Sequence, residues 1–242
     1  GIESFISGLI AQLPHDSVVV HTSSQKGRAL HGQQEEYDQK IYEEFGVIVV
    51  RDRQRILLPT RGLRKRVLGT VHAHAIETVV FGASVPLGLR APALRKVGVR
   101  RIVAITHGHE VWWSKVPIFS AMLRRVGAHV DYLTYLGNFT KREISKALRS
   151  ADHKKLVHLP PGVDINFFSP GEKPNYLIER YRLEGKRVIL CVGRIVQRKG
   201  QDSVIEAMKI LHETHPDVQL LIVGKGNYEN SLRKKVSQLN LD

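Results

Sequence analysis

At 242 residues the chain is too long for a single small module and fits either one large domain or two of ordinary size. With 42% hydrophobic and 25% charged residues its composition is that of an ordinary globular protein, which excludes wholesale disorder, collagen-like repeats and coiled-coil rods. Its 37 Lys and Arg against 23 Asp and Glu leave a net charge of +14, so an anionic partner is expected: nucleic acid, an acidic membrane surface or a phosphorylated small molecule.

Ile2, Phe5, Ile6, Leu9, Ile10 and Leu13 recur at helical spacing and Pro14 ends the run, predicting an amphipathic helix over residues 2 to 13. A strand follows at 18 to 21, then a polar loop or exposed helix at 27 to 39 and a second strand at 47 to 50. The rhythm continues with helices at 62 to 74, 86 to 97, 116 to 126 and 140 to 148, and with strands at 77 to 81, 101 to 105, 130 to 134 and 155 to 159. Short apolar strands alternating with helices predict a parallel sheet covered on both faces. Turn formers around Gly162 place a domain boundary there. Beyond it, helices at 176 to 181, 201 to 212 and 228 to 239 alternate with buried strands at 187 to 192 and 218 to 223. Two strands cannot cover themselves, so the second domain reads as incomplete.

A single cysteine, Cys191, excludes an internal disulfide and suits a reducing compartment, so the cytoplasm is expected. No uninterrupted apolar stretch approaches the roughly 20 residues that span a bilayer, which leaves peripheral membrane contact. The chain opens on Gly1 instead of Met and shows no signal peptide, which reads as a fragment.

Four segments carry chemistry. Gly193-Arg194-Ile-Val-Gln-Arg198-Lys199-Gly200 lies where a buried strand hands over to a helix, the place where open α/β sheets gather ligands. Gly193 admits close backbone approach, Arg194 offers a planar fork of donors and Lys199 a point charge, a combination suited to a diphosphate; a solvated basic loop is the plain alternative. Gly224-Lys225-Gly226 fails as a dinucleotide fingerprint because Glu229 occupies the third Gly position, and reads as a tight turn or, beside the cationic loop, as a nucleotide wall. Thr106-His107-Gly108-His109-Glu110 ends another strand. There His107 is a metal ligand with His109 and Glu110, a structural strand-end His, or a polar group facing substrate in an interdomain cleft. The first of these makes a metal-dependent hydrolase an alternative function.

Between residues 51 and 66, Arg51, Arg53, Arg55, Arg61, Arg64, Lys65 and Arg66 face one acid, Asp52. With Leu63, Val67 and Leu68 interleaved, Arg61, Arg64, Lys65 and Arg66 form either a solvated face or a basic amphipathic helix that lies on anionic headgroups. No nucleic-acid-binding module is recognisable, so nucleic acid is not expected as the partner.

These segments resemble the retaining GT-B glycosyltransferases of family GT4, and among them the actinobacterial GDP-mannose-dependent phosphatidylinositol mannoside mannosyltransferases of the PimB type. Gly1-Ile-Glu-Ser, Glu77-Thr-Val-Val-Phe-Gly-Ala, Ile105-Thr-His-Gly-His-Glu-Val111, His158-Leu-Pro-Pro-Gly-Val-Asp164, the segment from Val192 to Asp202 and Leu221-Ile-Val-Gly-Lys-Gly226 carry the likeness. The resemblance implies an α/β GT-B fold of two Rossmann-like, doubly wound parallel-sheet domains facing across a cleft. Residues 1–163 would be the acceptor-side domain, lacking its first strand, and 164–242 a partial nucleotide-sugar donor domain. Arg194 and Lys199 would hold the donor diphosphate and neutralise it as it leaves, with no metal or other cofactor. Gly193, Gly224 and Gly226 would line the donor site, Gly1 would remain from a Gly-rich loop that meets the diphosphate, and His107 would be the catalytic residue on the donor-sugar side. GDP-mannose would be the donor and an anionic glycolipid the acceptor, reached from the inner face of the plasma membrane. The family's Glu, seven residues, Glu motif and the base-contacting groups lie beyond residue 242, so this chain alone is expected to be inactive, and GDP over UDP rests on overall similarity.

Overall fold

A computed structural model of the chain describes residues 2–14, 16–24 and 28–241. The chain divides into two compact units, Gly1–Asp164 and Ile165–Asp242.

In the first unit, helix α1 (Ile2–Ile10) ends in a tightened turn, with Leu13 N donating to Ile10 O at 3.0 Å just before Pro14. Strand β1 (Val19–Ser23), helix α2 (Arg28–Phe45) and strand β2 (Ile48–Asp52) follow. The polar segment expected as loop or exposed helix is therefore helical and runs further than its composition indicates. Helix α3 (Arg61–Ala73) is capped by Thr60, whose Oγ1 accepts from Leu63 N at 3.2 Å. After strand β3 (Thr78–Phe81), the helix expected at 86 to 97 is a 3₁₀ turn, Leu87–Arg90, running into a short helix α4 (Ala91–Arg95). Strand β4 (Arg101–Ala104), the single turn α5 (Glu110–Trp113), helix α6 (Pro117–His129) and strand β5 (Tyr132–Tyr135) come next. Pro117 starts α6 where its missing N–H is no loss, and Val116 before it is extended. Helix α7 (Asn138–Ser145), a 3₁₀ turn and strand β6 (Leu156–His158) complete the unit.

All pairings are parallel. The described strands of this unit form two sheets: β1–β2 stands apart from β3–β4–β5–β6. In the larger sheet the central strands carry the core. Ile102 and Ala104 of β4 and Leu133 of β5 are buried with Leu94, Leu123, Val126 and Ile144 from the helices. Each such Leu or Ile contributes roughly 1.5–3 kcal/mol by leaving water.

In the second unit, helix α8 (Asn175–Tyr181) ends on Arg182 in the left-handed region, and Leu183 N donates back to Ile178 O at 3.0 Å. Strand β7 (Arg187–Val192), helix α9 (Gln201–Thr214), strand β8 (Val218–Val223) and helix α10 (Glu229–Gln238) follow. β7 and β8 pair in parallel over their full length. Ile205 and Leu232 from the helices pack with Ile195, Leu220 and Ile222. Leu190, Val192 and Val223 remain exposed, so β7 is covered less fully than its unbroken apolar run predicts.

Candidate functional site

The segments at 106–110, 193–200 and 224–226 each sit at the carboxyl end of a parallel strand, where backbone groups freed from the ladder turn outward. In the second unit the segment after β7 and the segment after β8 are bonded back to back. Gly193 N donates to Val223 O at 2.9 Å, Ile195 N to Lys225 O at 3.0 Å, and Tyr228 N to Ile195 O at 3.2 Å. This contact explains the two glycines of the second segment. A Cβ on Gly224 would stand 1.8 Å from Gly193 O, and one on Gly226 would stand 1.9 Å from Ile195 O. Both collisions are with backbone, which cannot swing aside.

The cationic segment is held from below as well. Gln201, the first residue of α9, is buried and donates through its side-chain amide to Arg194 O at 3.0 Å. Sequence reasoning passed over Gln201; its one signal is a large amide immediately after Gly200, where a helix begins. Gly200 takes φ +71°, the reversal that turns the 3₁₀ segment Gln197–Lys199 into α9. Arg194 and Lys199 are exposed, and neither has an acidic partner among the described residues. The backbone is thus fixed at several points while both cations stay available to an anion.

In the first unit Glu110 organises the site. Its carboxylate is fully buried, and it accepts from His107 N at 2.9 Å and from Ser84 Oγ at 3.0 Å. The segments that follow β3 and β4 are thereby tied together. His107 Nε2 lies 2.6 Å from Gly82 O. A carbonyl oxygen only accepts, so Nε2 carries the proton, and a neutral ring leaves Nδ1 as its acceptor. The ring also meets Phe5 edge-on, with centroids 5.7 Å apart, and stacks at 6.2 Å on His109, which packs edge-on against Trp113. Glu110 is therefore engaged as a bridging acceptor, and among the described residues no group of three His, Cys, Asp or Glu side chains is placed to hold a metal ion. This geometry lends nothing to the hydrolase alternative built on His107, His109 and Glu110.

The basic run resolves into different roles. Arg66 was expected on the membrane-facing side, but its guanidinium grips Asp52 at the end of β2, with Nε at 2.6 Å and Nη2 at 2.9 Å. The Asp52 side chain is wholly enclosed, and His21 Nε2 approaches it at 3.3 Å. Arg66 holds the Asp52 carboxyl down at about 2, and Asp52 in turn raises the Arg66 guanidinium. Arg66 is thus a bolt between β2 and α3, and it is Arg61, Arg64 and Lys65 that line an open surface cavity of about 310 Å³ with Leu68. Gly1, expected to meet the diphosphate, lies outside the described residues.

Residues 176–242 match the family described as glycosyl transferases group 1. Over its full length the chain is 38% identical to a GDP-mannose-dependent alpha-(1-6)-phosphatidylinositol monomannoside mannosyltransferase of Mycolicibacterium smegmatis, of which it covers 61%. Over 99% of its length it is 37% identical to a GDP-mannose-dependent monoacylated alpha-(1-6)-phosphatidylinositol monomannoside mannosyltransferase of Corynebacterium glutamicum, again covering 61%. The chain therefore spans about three fifths of the length of these curated relatives. Among solved structures, HepE of Anabaena in complex with UDP aligns with a TM-score of 0.64 over 93% of this chain and 66% of its own, at 17% identity. That likeness is one of fold: α/β, with Rossmann-like parallel-sheet units of the GT-B class.

Proposed function

We propose that the chain is a group 1 glycosyl transferase and that the protein transfers mannose from GDP-mannose to a phosphatidylinositol mannoside or a similar glycolipid acceptor. The observation that carries the reading is the segment after β7, whose backbone is pinned by Gln201 and by the segment after β8 while Arg194 and Lys199 have no acidic partner among the described residues.

In this reading Arg194 and Lys199 bind the donor's diphosphate. Charge builds on the diphosphate as the glycosidic bond breaks, and fixed cations stabilise that charge without any reorganisation at the moment of reaction. Each charge-assisted hydrogen bond contributes about 1.5–3 kcal/mol, so the pair supplies the neutralisation that other enzymes draw from a metal ion. Gly193 leaves room for the diphosphate beside the backbone, with Gly224 and Gly226 keeping the two segments in register. His107 is the catalytic residue on the sugar side: its Nε2 proton is committed to Gly82 O, so Nδ1 is the atom that accepts a hydrogen bond from a sugar hydroxyl. Configuration at the sugar carbon is retained by attack from the face the diphosphate leaves. Arg61, Arg64 and Lys65 bring the protein to the anionic inner face of the plasma membrane, where the acceptor resides.

Titration of the full-length protein with GDP and with UDP tests this. GDP is expected to bind the more tightly, and the Arg194→Ala, Lys199→Ala double variant to lose that binding by at least a hundredfold while melting at the parent temperature. Equal GDP affinity in parent and variant refutes the donor assignment. Thin-layer analysis of lipids after incubation with radiolabelled GDP-mannose and membranes then reports the acceptor.

A further inference from the structure

A group that meets a substrate works only while its reacting atom is held in place, and one hydrogen bond fixes a direction but lets an imidazole rock about it. His107 has more than one restraint. Its backbone N–H donates to Glu110 at 2.9 Å and its ring Nε2 to Gly82 O at 2.6 Å. Two further rings meet the imidazole. Phe5 stands edge-on to it, with planes at 84° and centroids 5.7 Å apart. His109 lies nearly parallel, 11° off at 6.2 Å, and leads into Trp113 at 4.7 Å and from there to Phe119 at 5.6 Å.

The two ring contacts have different supports. His109 belongs to the same short segment as His107, and its side chain is 40% exposed. Phe5 is half-buried and comes from α1, far earlier in the chain. The next residue of that helix reaches the acceptor of the ring's hydrogen bond, since a Cβ on Gly82 would stand 3.5 Å from Ile6 Cδ1. Consecutive side chains of α1 thus pack on the His107 ring and beside the glycine that binds it. Neither Phe nor Ile can hydrogen-bond through its side chain. Helix α1 therefore restrains the imidazole without competing for Nδ1.

We infer that Phe5 is a positioning residue for His107: from α1 it holds the imidazole in the orientation and tautomer that offer Nδ1 to the donor sugar. What His107 acts on rests on the sugar-transfer reading above. Phe5 touches no reacting atom and works only through the ring it restrains. Removing the phenyl group opens space beside the imidazole, into which the ring tips or turns over. Tipping moves Nδ1 out of line, and a turned ring donates to Gly82 O from Nδ1 and so loses it as an acceptor. Misplacing a catalytic group by about 1 Å costs up to about a hundredfold in rate. Diphosphate binding by Arg194 and Lys199 does not depend on this ring.

Steady-state kinetics, together with NMR of the full-length protein carrying isotope-labelled histidine, test the inference. Phe5→Ala is expected to lower kcat for mannose transfer by about tenfold or more, with KM for GDP-mannose and affinity for GDP close to the parent's. In the parent the His107 signals should show a proton on Nε2 alone, and in Phe5→Ala a mixture of the two ring tautomers. Phe5→Leu refills the space and is expected to recover most of the lost kcat and the single tautomer; it also keeps the assay informative if Phe5→Ala fails to fold. Leu9→Ala, which removes half-buried bulk from the same helix one turn further on, is expected to keep the parent's kcat and tautomer. Parent-like kcat in Phe5→Ala, an unchanged tautomer in that variant, or an equal loss of kcat in Leu9→Ala overturns the inference. A parent that transfers no mannose defeats the sugar-transfer reading alone, because the tautomer measurement needs no turnover and still decides whether Phe5 holds His107.

Discussion

Gly226→Ala adds one methyl group, and the structure sets its consequence. The new Cβ would lie 1.9 Å from Ile195 O, 2.5 Å from Ile195 C and 2.9 Å from Ile195 N. Relief requires the two segments to part by more than about 1 Å, since ordinary carbon–oxygen contacts begin above about 3 Å. Overpacking of this kind costs about 1–3 kcal/mol. The bonds from Ile195 N to Lys225 O and from Tyr228 N to Ile195 O stretch with it, at about 0.5–1.5 kcal/mol each. For a unit of this size each kcal/mol lowers the melting temperature by about 4–8 °C, so a total of about 2–6 kcal/mol is expected to lower the melting of the second unit by at least about 8 °C. Arg194 immediately precedes Ile195, which makes both parted bonds, so GDP affinity is expected to fall although no ligand-facing atom has changed. Differential scanning calorimetry and GDP titration read the two effects. Gly171→Ala is the control, because a Cβ there meets nothing within 4 Å. A Gly226→Ala protein that melts with the parent and binds GDP as tightly would show that the segments are not packed as described.

Other perturbations address the first unit. The Asp52 carboxyl is depressed from 3.8 to about 2 by Arg66, so its contribution to stability is full above pH about 4. It is lost as pH falls through about 2. Chemical denaturation from pH 5 to pH 2 is expected to show stability falling in acid, with a shallower fall in Asp52→Asn; an unchanged slope in that variant refutes the coupling. Arg66→Ala leaves the enclosed Asp52 carboxylate without its main partner and is expected to cost about 1–3 kcal/mol in urea denaturation. Arg61→Ala should cost almost nothing in the same assay. Glu110→Ala leaves the His107 amide and the Ser84 hydroxyl unpaired, at about 1–3 kcal/mol each, and is expected to abolish mannose transfer by releasing His107. Co-sedimentation with anionic vesicles is expected to weaken with added salt and on replacing Arg64 by Glu; binding indifferent to both rules out electrostatic docking through α3.

The alternation of strands and helices was legible because buried parallel strands write themselves as unbroken apolar runs such as Val47-Ile-Val-Val50 and Val218 to Val223, and helices as apolar residues every three or four positions. The segments after β7 and β8 stood out because glycine and cations gather just after those runs. What the sequence hid are contacts between segments far apart in the chain. Glu110 read as a metal ligand because its neighbours are histidines, whereas its partner Ser84 is 26 residues away. Arg66 read as one more cation in a run of seven, and nothing periodic marks it as the residue that Asp52 neutralises. Gln201, 7 residues from the carbonyl it holds, carries no charge to draw attention. The separation of β1–β2 from β3–β6 was equally invisible, since pairing order is a property of the sheet and not of any single strand.

The back-to-back bonding after β7 and β8 also fixes chain length. Gly193, Ile195, Lys225 and Tyr228 meet in a set order, so one extra residue anywhere between Val223 and Tyr228 slides Gly226 off Ile195 and brings a side chain against a carbonyl. Natural variation in this lineage should therefore appear as exchanges of residue type there, while insertions and deletions collect at open turns such as the one around Gly185.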